Sequence, residues 1–261
     1  MNILDKIILN KKEEVSSLKK SVPIEELKNR YGFDKETISL KDNLLNKSTF
    51  GIISEFKRQS PSKGIINNMA DVVETTKGYQ SVGASGISIL TDTAFFGGKT
   101  EDLLEARPYL KVPILRKDFI VDEYQVYETK AMGADVMLLI ASVLTPEKQQ
   151  ILASLAKELG LEVLLEIHSE EELVDNMVPL VDILGVNNRN LKTFETSIQN
   201  SIDMSAMLPH EVLKISESGI SSLDDINELL KHDFKGFLIG EQFMKSDEPA
   251  RELRKFLNPT K

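Results

Sequence analysis

The chain reads as an α/β protein, a parallel (β/α)8 or TIM barrel with an extra N-terminal helical segment. Three observations predict it. From residue 50 onward, short aliphatic runs alternate with longer amphipathic segments. Several of the runs are apolar throughout, as parallel strands covered on both faces are. Charged and amide side chains stand where the runs end, far apart in sequence, and a closed barrel is the fold that gathers strand ends at one rim.

Eight strands are expected, at FGIISEF, GISILT, VPILR, DVMLLIA, EVLLE, DILGV, EVLKIS and GFLIG. Their ends, near Lys57, Asp92, Lys117, Ser142, Glu166, Arg189, Ser218 and Gly240, fall 22 to 35 residues apart. That spacing holds a turn and a crossover helix. Thr145 and Pro146 read as N-cap and first helical residue; Ile151, Leu152, Leu155, Ala156 and Leu159 form one face, and Gly160 ends the helix. Ser169 with Glu172 fits a capping box, and Ser222 with Asp225 resembles one. Tyr124, Tyr127 and Ala131 form a further apolar stripe ending at Gly133.

Residues 1–49 stand outside this repeat. Ile3, Leu4, Ile7 and Ile8 lie at helical spacing, and Ile24 with Leu27 suggests a second short helix. Such a segment either lids one barrel mouth or plugs the floor, and spacing favours neither. One domain is expected over 1–261, with 1–49 as the helical extension and 50–261 as the barrel.

Composition narrows the function. The chain has 261 residues, 41% of them hydrophobic, enough for one sizeable core. A net charge of −9 and a pI of about 5.1 argue against nucleic acid or an anionic membrane as the main partner. A local cluster of cations can still hold a small anion. With no cysteine there is no disulfide, thiol nucleophile or thiolate metal site. Charges break the apolar runs of the first twenty residues, unlike a signal peptide, and no stretch approaches the ~20 apolar residues of a membrane span. A soluble cytoplasmic protein is expected.

The candidate chemistry sits at the strand ends. In EFKRQSPSKG, Glu55 and Lys57 are two apart on a strand and project to one side, into the barrel if Phe56 faces the helices. A structural ion pair would look the same. Ser60, Pro61, Ser62 and Gly64 follow as a stiff polar loop suited to an anion. Lys117 in LRKDF would be a solvated charge in isolation, but it follows an apolar strand beside Phe119. Two ammonium groups in one pocket would lower the pKa of one of them. Glu166 closes a fully apolar run, where an unpaired carboxylate is unfavourable, so it either pairs with a lysine or works as an acid or base with a raised pKa. Glu217 in ISESG poses the same question.

Arg189, after Asn187 and Asn188, suits an oxyanion. Gly219 after Ser218, and Gly240 before Glu241, fall where barrels of this class often bind phosphate. His168, His210 and His232 lack ligand spacing and read as surface or cap residues, so no metal site is expected. The FFGGK stretch, 95–99, reads as an aromatic-bearing loop after the second strand.

EFKRQSPSKG, SILTDTAFFGG, PILRKDFI, LLEIHSEEEL, GVNNRNL, SESGI and FLIGEQFM, in this order, resemble the indole-3-glycerol phosphate synthases of tryptophan biosynthesis. The resemblance implies a carboxy-lyase needing no metal or organic cofactor, acting on a small phosphorylated substrate, as a monomer. It implies Lys117 as general acid and Lys57 as holder of the substrate carboxylate and later proton donor. Glu55 and Glu166 would share acid and base work, while Asn187 and Glu217 hold hydroxyls and the lysines. Phosphate would lie against Ser60, Arg189, Ser218 and the amides around Gly219, Gly240 and Glu241. Pro61, Phe96, Phe119, Leu138 and Leu191 would enclose the substrate ring. Lys99 stands where such sequences often have serine, and Gln59 where some are basic. Another phosphate-binding barrel of the same pathway, such as phosphoribosylanthranilate isomerase, would share the phosphate end without needing the EFK and RKDF pair.

Overall fold

A computed structural model describes residues 2–46, 48–175, 180–190 and 193–258. All eight expected runs form strands: β1 (Ile52–Phe56), β2 (Gly86–Leu90), β3 (Ile114–Lys117), β4 (Val136–Ile140), β5 (Glu162–Ile167), β6 (Ile183–Asn187), β7 (Leu213–Glu217) and β8 (Gly236–Ile239). Each pairs in parallel with its sequence neighbours, and β8 pairs with β1 to close the barrel. β3 starts after Pro113, which has no N–H to give the ladder.

Alternation sorts the side chains. Ile52, Phe56, Ile87 and Ile89 point outward into the large core under the helices. Ile53, Leu115, Leu138, Leu164, Ile215 and Leu238 point inward and fill the barrel axis. Higher along the axis, the register sets polar residues level with one another. Lys117 lies beside Leu90, Glu166 beside Ile140, and Glu217 between Asn187 and Leu238. The barrel interior is therefore apolar at its base and charged at its carboxyl-terminal rim.

The N-terminal segment does both jobs its spacing left open. Helix α3 (Leu40–Leu45) plugs the floor, with Leu40 and Leu44 joining the axial core. A Cβ on Gly86 would come within 2.7 Å of Leu40, and one on Gly236 within 2.5 Å of Ile215 and 3.1 Å of Leu44, so α3 packs closely against bare backbone at the first residues of β2 and β8. The Glu162 carboxylate accepts from Ser39 Oγ and from the backbone N–H groups of Leu40 and Lys41 at 2.5, 2.8 and 3.1 Å, which fixes α3 to β5. Helix α1 (Ile3–Ser21) instead lies over the opposite end, where Asn2, Ile3, Leu4 and Ile7 face the rim cavity. Its Lys11 is fully buried and reaches Asp118 at 2.9 Å, Glu14 at 3.0 Å and Asp92 at 3.2 Å. Burial disfavours that ammonium, but the three carboxylates outweigh it and hold the lysine pKa above its usual value. The second short helix, α2 (Ile24–Lys28), buries Leu27 beside Tyr124 and Ala131.

Helix punctuation follows the sequence closely. Thr145 caps Pro146–Glu158 through the Lys148 N–H, Gly160 stops it at φ +74°, and Ser222 with Asp225 makes a reciprocal capping box. Ser169 departs from its expected box. It accepts the Glu172 N–H at 3.4 Å, but the Glu172 carboxylate turns to the backbone N–H of His168 at 2.7 Å. Among the described residues no helix is long and apolar enough to cross a membrane.

Candidate active site

A cavity of about 840 Å³ opens at the carboxyl-terminal rim, and the strand-end residues line it. Alternation explains who enters. Glu55 and Lys57 leave β1 on one face, Glu166 and His168 leave β5 likewise, and Asn187 and Arg189 leave β6 likewise. Lys117 and Glu217 end β3 and β7 on the inner side. Asn188, between Asn187 and Arg189, faces away and holds Ser216 Oγ at 2.9 Å and the Ser218 carbonyl at 3.0 Å. Two of the strand carboxylates fit only because a neighbour has no side chain. A Cβ on Gly240 would collide with Glu55 Oε1, and one on Gly185 with Glu217 Oε1.

The charges arrange around Lys117. Its Nζ lies 2.6 Å from Glu166 Oε2 and 3.6 Å from Glu217 Oε2. Lys57 forms its own ion pair with Glu55. This overturns the expectation of a depressed lysine pKa in the case of Lys117. Burial does push toward the neutral amine, but Glu166, Glu217 and Glu55 together outweigh it, and the pKa rises. Lys117 is an ammonium.

The two glutamates beside it part company. For Glu166, burial favours the neutral acid, but Lys117, His168 and the Asn187 amide, which donates to Oε1 at 3.1 Å, prevail and bring its pKa down to about 2. For Glu217, burial is joined by repulsion from Glu166 and Glu55, the pull of Lys117 does not compensate, and the pKa is pushed up to about 8. The surroundings thus favour the charged form of Glu166 and the neutral form of Glu217. Neighbouring carboxyls held at different protonation states supply acid and base side by side.

One end of the cavity is basic. Arg189 Nη1 donates to Ser62 Oγ at 3.4 Å, and Ser60 Oγ lies 3.4 Å from the same hydroxyl. Ser218 holds a left-handed backbone at φ +66°, unusual for a residue with a side chain, and Gly219 follows at φ +73°. The Glu241 carboxylate, not foreseen as a charge here, sits among cations: Lys245 at 2.8 Å, Arg189 at 3.5 Å and Lys63 at 3.6 Å. Burial raises its pKa, but the Lys245 hydrogen bond and the three charges hold it below the usual range. A chain of net charge −9 thus gathers three cations at one spot.

Apolar side chains line the cavity as well. Phe96 and Phe119 meet with ring centroids 5.9 Å apart, and Pro61, Leu138 and Ile140 continue the wall. Phe96 is not on an open loop; Thr93–Phe96 is a helical turn capped by Asp92. Gln59 packs within 3.0 Å of where a Gly97 Cβ would stand, and Lys99 is an N-cap without a side-chain bond. Leu191 lies outside the described residues.

The structure corrects the reading of one histidine. His210 is exposed and His232 caps a helix end, but His168 is half-buried and lines the cavity wall. The signal was available, since His168 stands two residues beyond Glu166, as Lys57 does beyond Glu55. Ile3, Leu4 and Ile7 of α1 enter the wall as the lid reading of the N-terminal segment expected. Among the described residues no group of three or more acidic or histidine side chains is arranged to hold a metal.

Comparison with known proteins supports one reading of this geometry. The family model described as indole-3-glycerol phosphate synthase matches residues 4–256. The indole-3-glycerol phosphate synthase of Bacteroides thetaiotaomicron is 49% identical over 256 residues, covering 98% of each chain. That of Burkholderia ambifaria is 42% identical over 258 residues, covering 97% of each. Among solved structures, KGPDC from Streptococcus mutans superposes with a TM-score of 0.58 at 12% identity, covering 79% of this chain and 95% of that one. The 3-hexulose-6-phosphate synthase of Salmonella typhimurium gives 0.60 at 16% identity, covering 79% and 96%. At such identities these last two speak to the fold alone.

Proposed function

The chain belongs to the indole-3-glycerol phosphate synthase family, and we propose that it runs the reaction of that family, as a carboxy-lyase of tryptophan biosynthesis. Carboxyphenylaminodeoxyribulose 5-phosphate closes its ring and loses carbon dioxide and water to give indole-3-glycerol phosphate. One observation carries the reading. The Lys117 ammonium lies 2.6 Å from Glu166 and 3.6 Å from Glu217, in one cavity lined also by aromatic side chains and by a basic cluster.

In this reading the ring sits against Pro61, Phe96, Phe119 and Leu138, and the phosphate against Ser60, Arg189, Ser218 and the amides of Gly219, Gly240 and Glu241. The ring carbon bearing the carboxylate attacks the ketone carbon. Lys117 donates its proton to the ketone oxygen, quenching charge as it develops; a positioned acid contributes roughly 10²–10⁴ in rate. Carbon dioxide then leaves, its bonding electrons falling into the neighbouring iminium and restoring the aromatic ring. Lys57 holds the departing carboxylate and supplies a proton as the hydroxyl leaves. Glu166, with Glu55, takes the proton from the methylene carbon beside nitrogen. Asn187 fixes Glu166, and Glu217 as a neutral acid donates to a substrate hydroxyl.

Purified protein should convert the substrate to a product with indole absorbance. Lys117→Ala should abolish turnover while circular dichroism and phosphate-ester binding stay nearly unchanged. No product from the wild-type chain would sink the assignment of activity; an unchanged kcat in the variant would sink the role of Lys117 alone. We also propose that residues 1–261 form one domain, with 1–49 as its extension to the barrel of 50–261, and that the chain acts as a cytoplasmic monomer. Limited proteolysis, light scattering and cell fractionation check these.

A further inference from the structure

The reaction proposed above consumes a proton, and this inference rests on that reading. The substrate arrives as a carboxylate and surrenders the group as neutral carbon dioxide, while its ketone oxygen leaves as water. Two protons go to that oxygen, and one comes back from the methylene carbon as the indole double bond forms. One proton must therefore enter from solvent in every turnover. Lys117, Glu166 and Glu217 can exchange protons among themselves, but they cannot make up this deficit.

His168 stands between these groups and water. Its side chain is 9% exposed, and among the described residues neither ring nitrogen has a partner at full hydrogen-bond geometry. Nε2 lies 3.4 Å from Glu166 Oε1, and Nδ1 lies 3.5 Å from Glu172 Oε2. Both gaps exceed a hydrogen bond by a few tenths of an ångström, and catalytic contacts in a site without substrate commonly tighten on binding. Glu172 is the outer member, with a side chain 20% exposed against 5% for Glu166. The His168 backbone N–H anchors its carboxylate at 2.7 Å. The titratable groups facing the ring are Glu166 on its own strand, Glu217 from β7 and Glu172 from the following helix; they favour the imidazolium against the cost of burial. An imidazole can take a proton at one nitrogen and release another from the second.

We propose that His168, backed by Glu172, is the relay that carries the consumed proton from solvent to Glu166, which passes it to the Lys117 amine left after each donation. No oxidant or co-reactant is involved; the product water carries away two protons, one that entered at Glu172 and one recovered from the methylene carbon.

The test uses His168→Gln and His168→Ala in the full chain, with wild type as the reference for the activity itself. The expected result is a fall in kcat of at least about 10-fold with KM within about 3-fold, since the relay recharges the acid without touching substrate. Added imidazole should restore His168→Ala in proportion to its concentration, more so at lower pH, and should do nothing for Lys117→Ala. Glu172→Gln keeps the imidazole in place and should lower kcat by about 3-fold or more, so the proposal stays testable if a histidine variant fails to fold. A kcat within about twofold of wild type in His168→Ala, or a loss that imidazole leaves untouched, overturns the relay and gives the task to water at the cavity mouth. A wild-type chain that makes no product would instead overturn the proposed function.

Discussion

Arg116 and Lys117 are neighbours in β3 and point to opposite sides of the barrel wall, and the two buried ionic clusters they anchor are resolved in opposite ways. Outside, each guanidinium nitrogen of Arg116 is occupied: Nε by Thr91 at 3.1 Å, Nη1 by Thr129 at 3.1 Å and the Gln125 carbonyl at 3.2 Å, and Nη2 by Glu128 at 2.6 Å and Asp118 at 3.1 Å. Asp118 also takes Lys11 from the lid helix, and although burial opposes its charge, Lys11 and Arg116 bring its pKa down to about 2. Inside, Lys117 has more carboxylates than it can satisfy. Among the described residues Glu217 Oε1 and both His168 ring nitrogens lack a hydrogen-bond partner, and burial with the neighbouring carboxylates favours the neutral form of Glu217. Buried polar groups normally find partners, so a guanidinium with every nitrogen paired reads as framework, and carboxyl and imidazole atoms left open on a cavity read as a place for substrate.

The comparison can be broken most sharply at Lys117. Lys117→Met should cut kcat by about 10²–10⁴ while Arg116→Met, one residue away, should act on stability first. Equal loss of turnover at temperatures well below both melting points would erase the distinction. Lys11→Met tests the outer cluster from the lid side. It strands Asp92 without its cation and leaves Asp118 to Arg116 alone, and removing one member of a buried pair costs about 3–5 kcal/mol, which denaturant melts would register as a lower midpoint.

Glu217→Gln sharpens the inner cluster through pH. A carboxyl whose pKa rises on folding from 4.5 to about 8 contributes stability that is fully present below 4.5 and lost as pH climbs through about 8. The wild-type chain should therefore lose stability relative to Glu217→Gln between those values, and parallel profiles would mean that Glu217 is charged. Smallest is the effect expected at the basic end, where the Glu241 carboxylate competes with an incoming phosphate for Arg189, Lys63 and Lys245. Because that pairing is partly solvated, worth about 0.2–1 kcal/mol, Glu241→Gln should tighten inorganic phosphate binding by at most about 5-fold, read by calorimetry.

Much of this site was legible from alternation alone. Glu55, Lys57, Lys117, Glu166, Asn187, Arg189 and Glu217 all enter one cavity because every second residue of a strand faces the same way. The same rule applied one step further would have placed His168 there as well. The fate of residues 1–49 was not legible, because Ile3, Ile7, Leu40 and Leu44 are apolar at helical spacing whether they cover a mouth or fill a floor.

What the amino-acid order by itself determined is local: which runs become strands, where helices start and stop, and which side chains share a face. These depend on backbone sterics and on neighbours two to four residues apart. Only the closed barrel decided that Glu166 is drawn toward the carboxylate and Glu217 toward the neutral acid, that Lys117 holds its proton more tightly than a free lysine, and that Lys11 is locked beneath the lid. A proton's free energy is summed over every charge within a few ångströms and over the water excluded between them. Here those charges come from strands that meet only when β8 closes on β1.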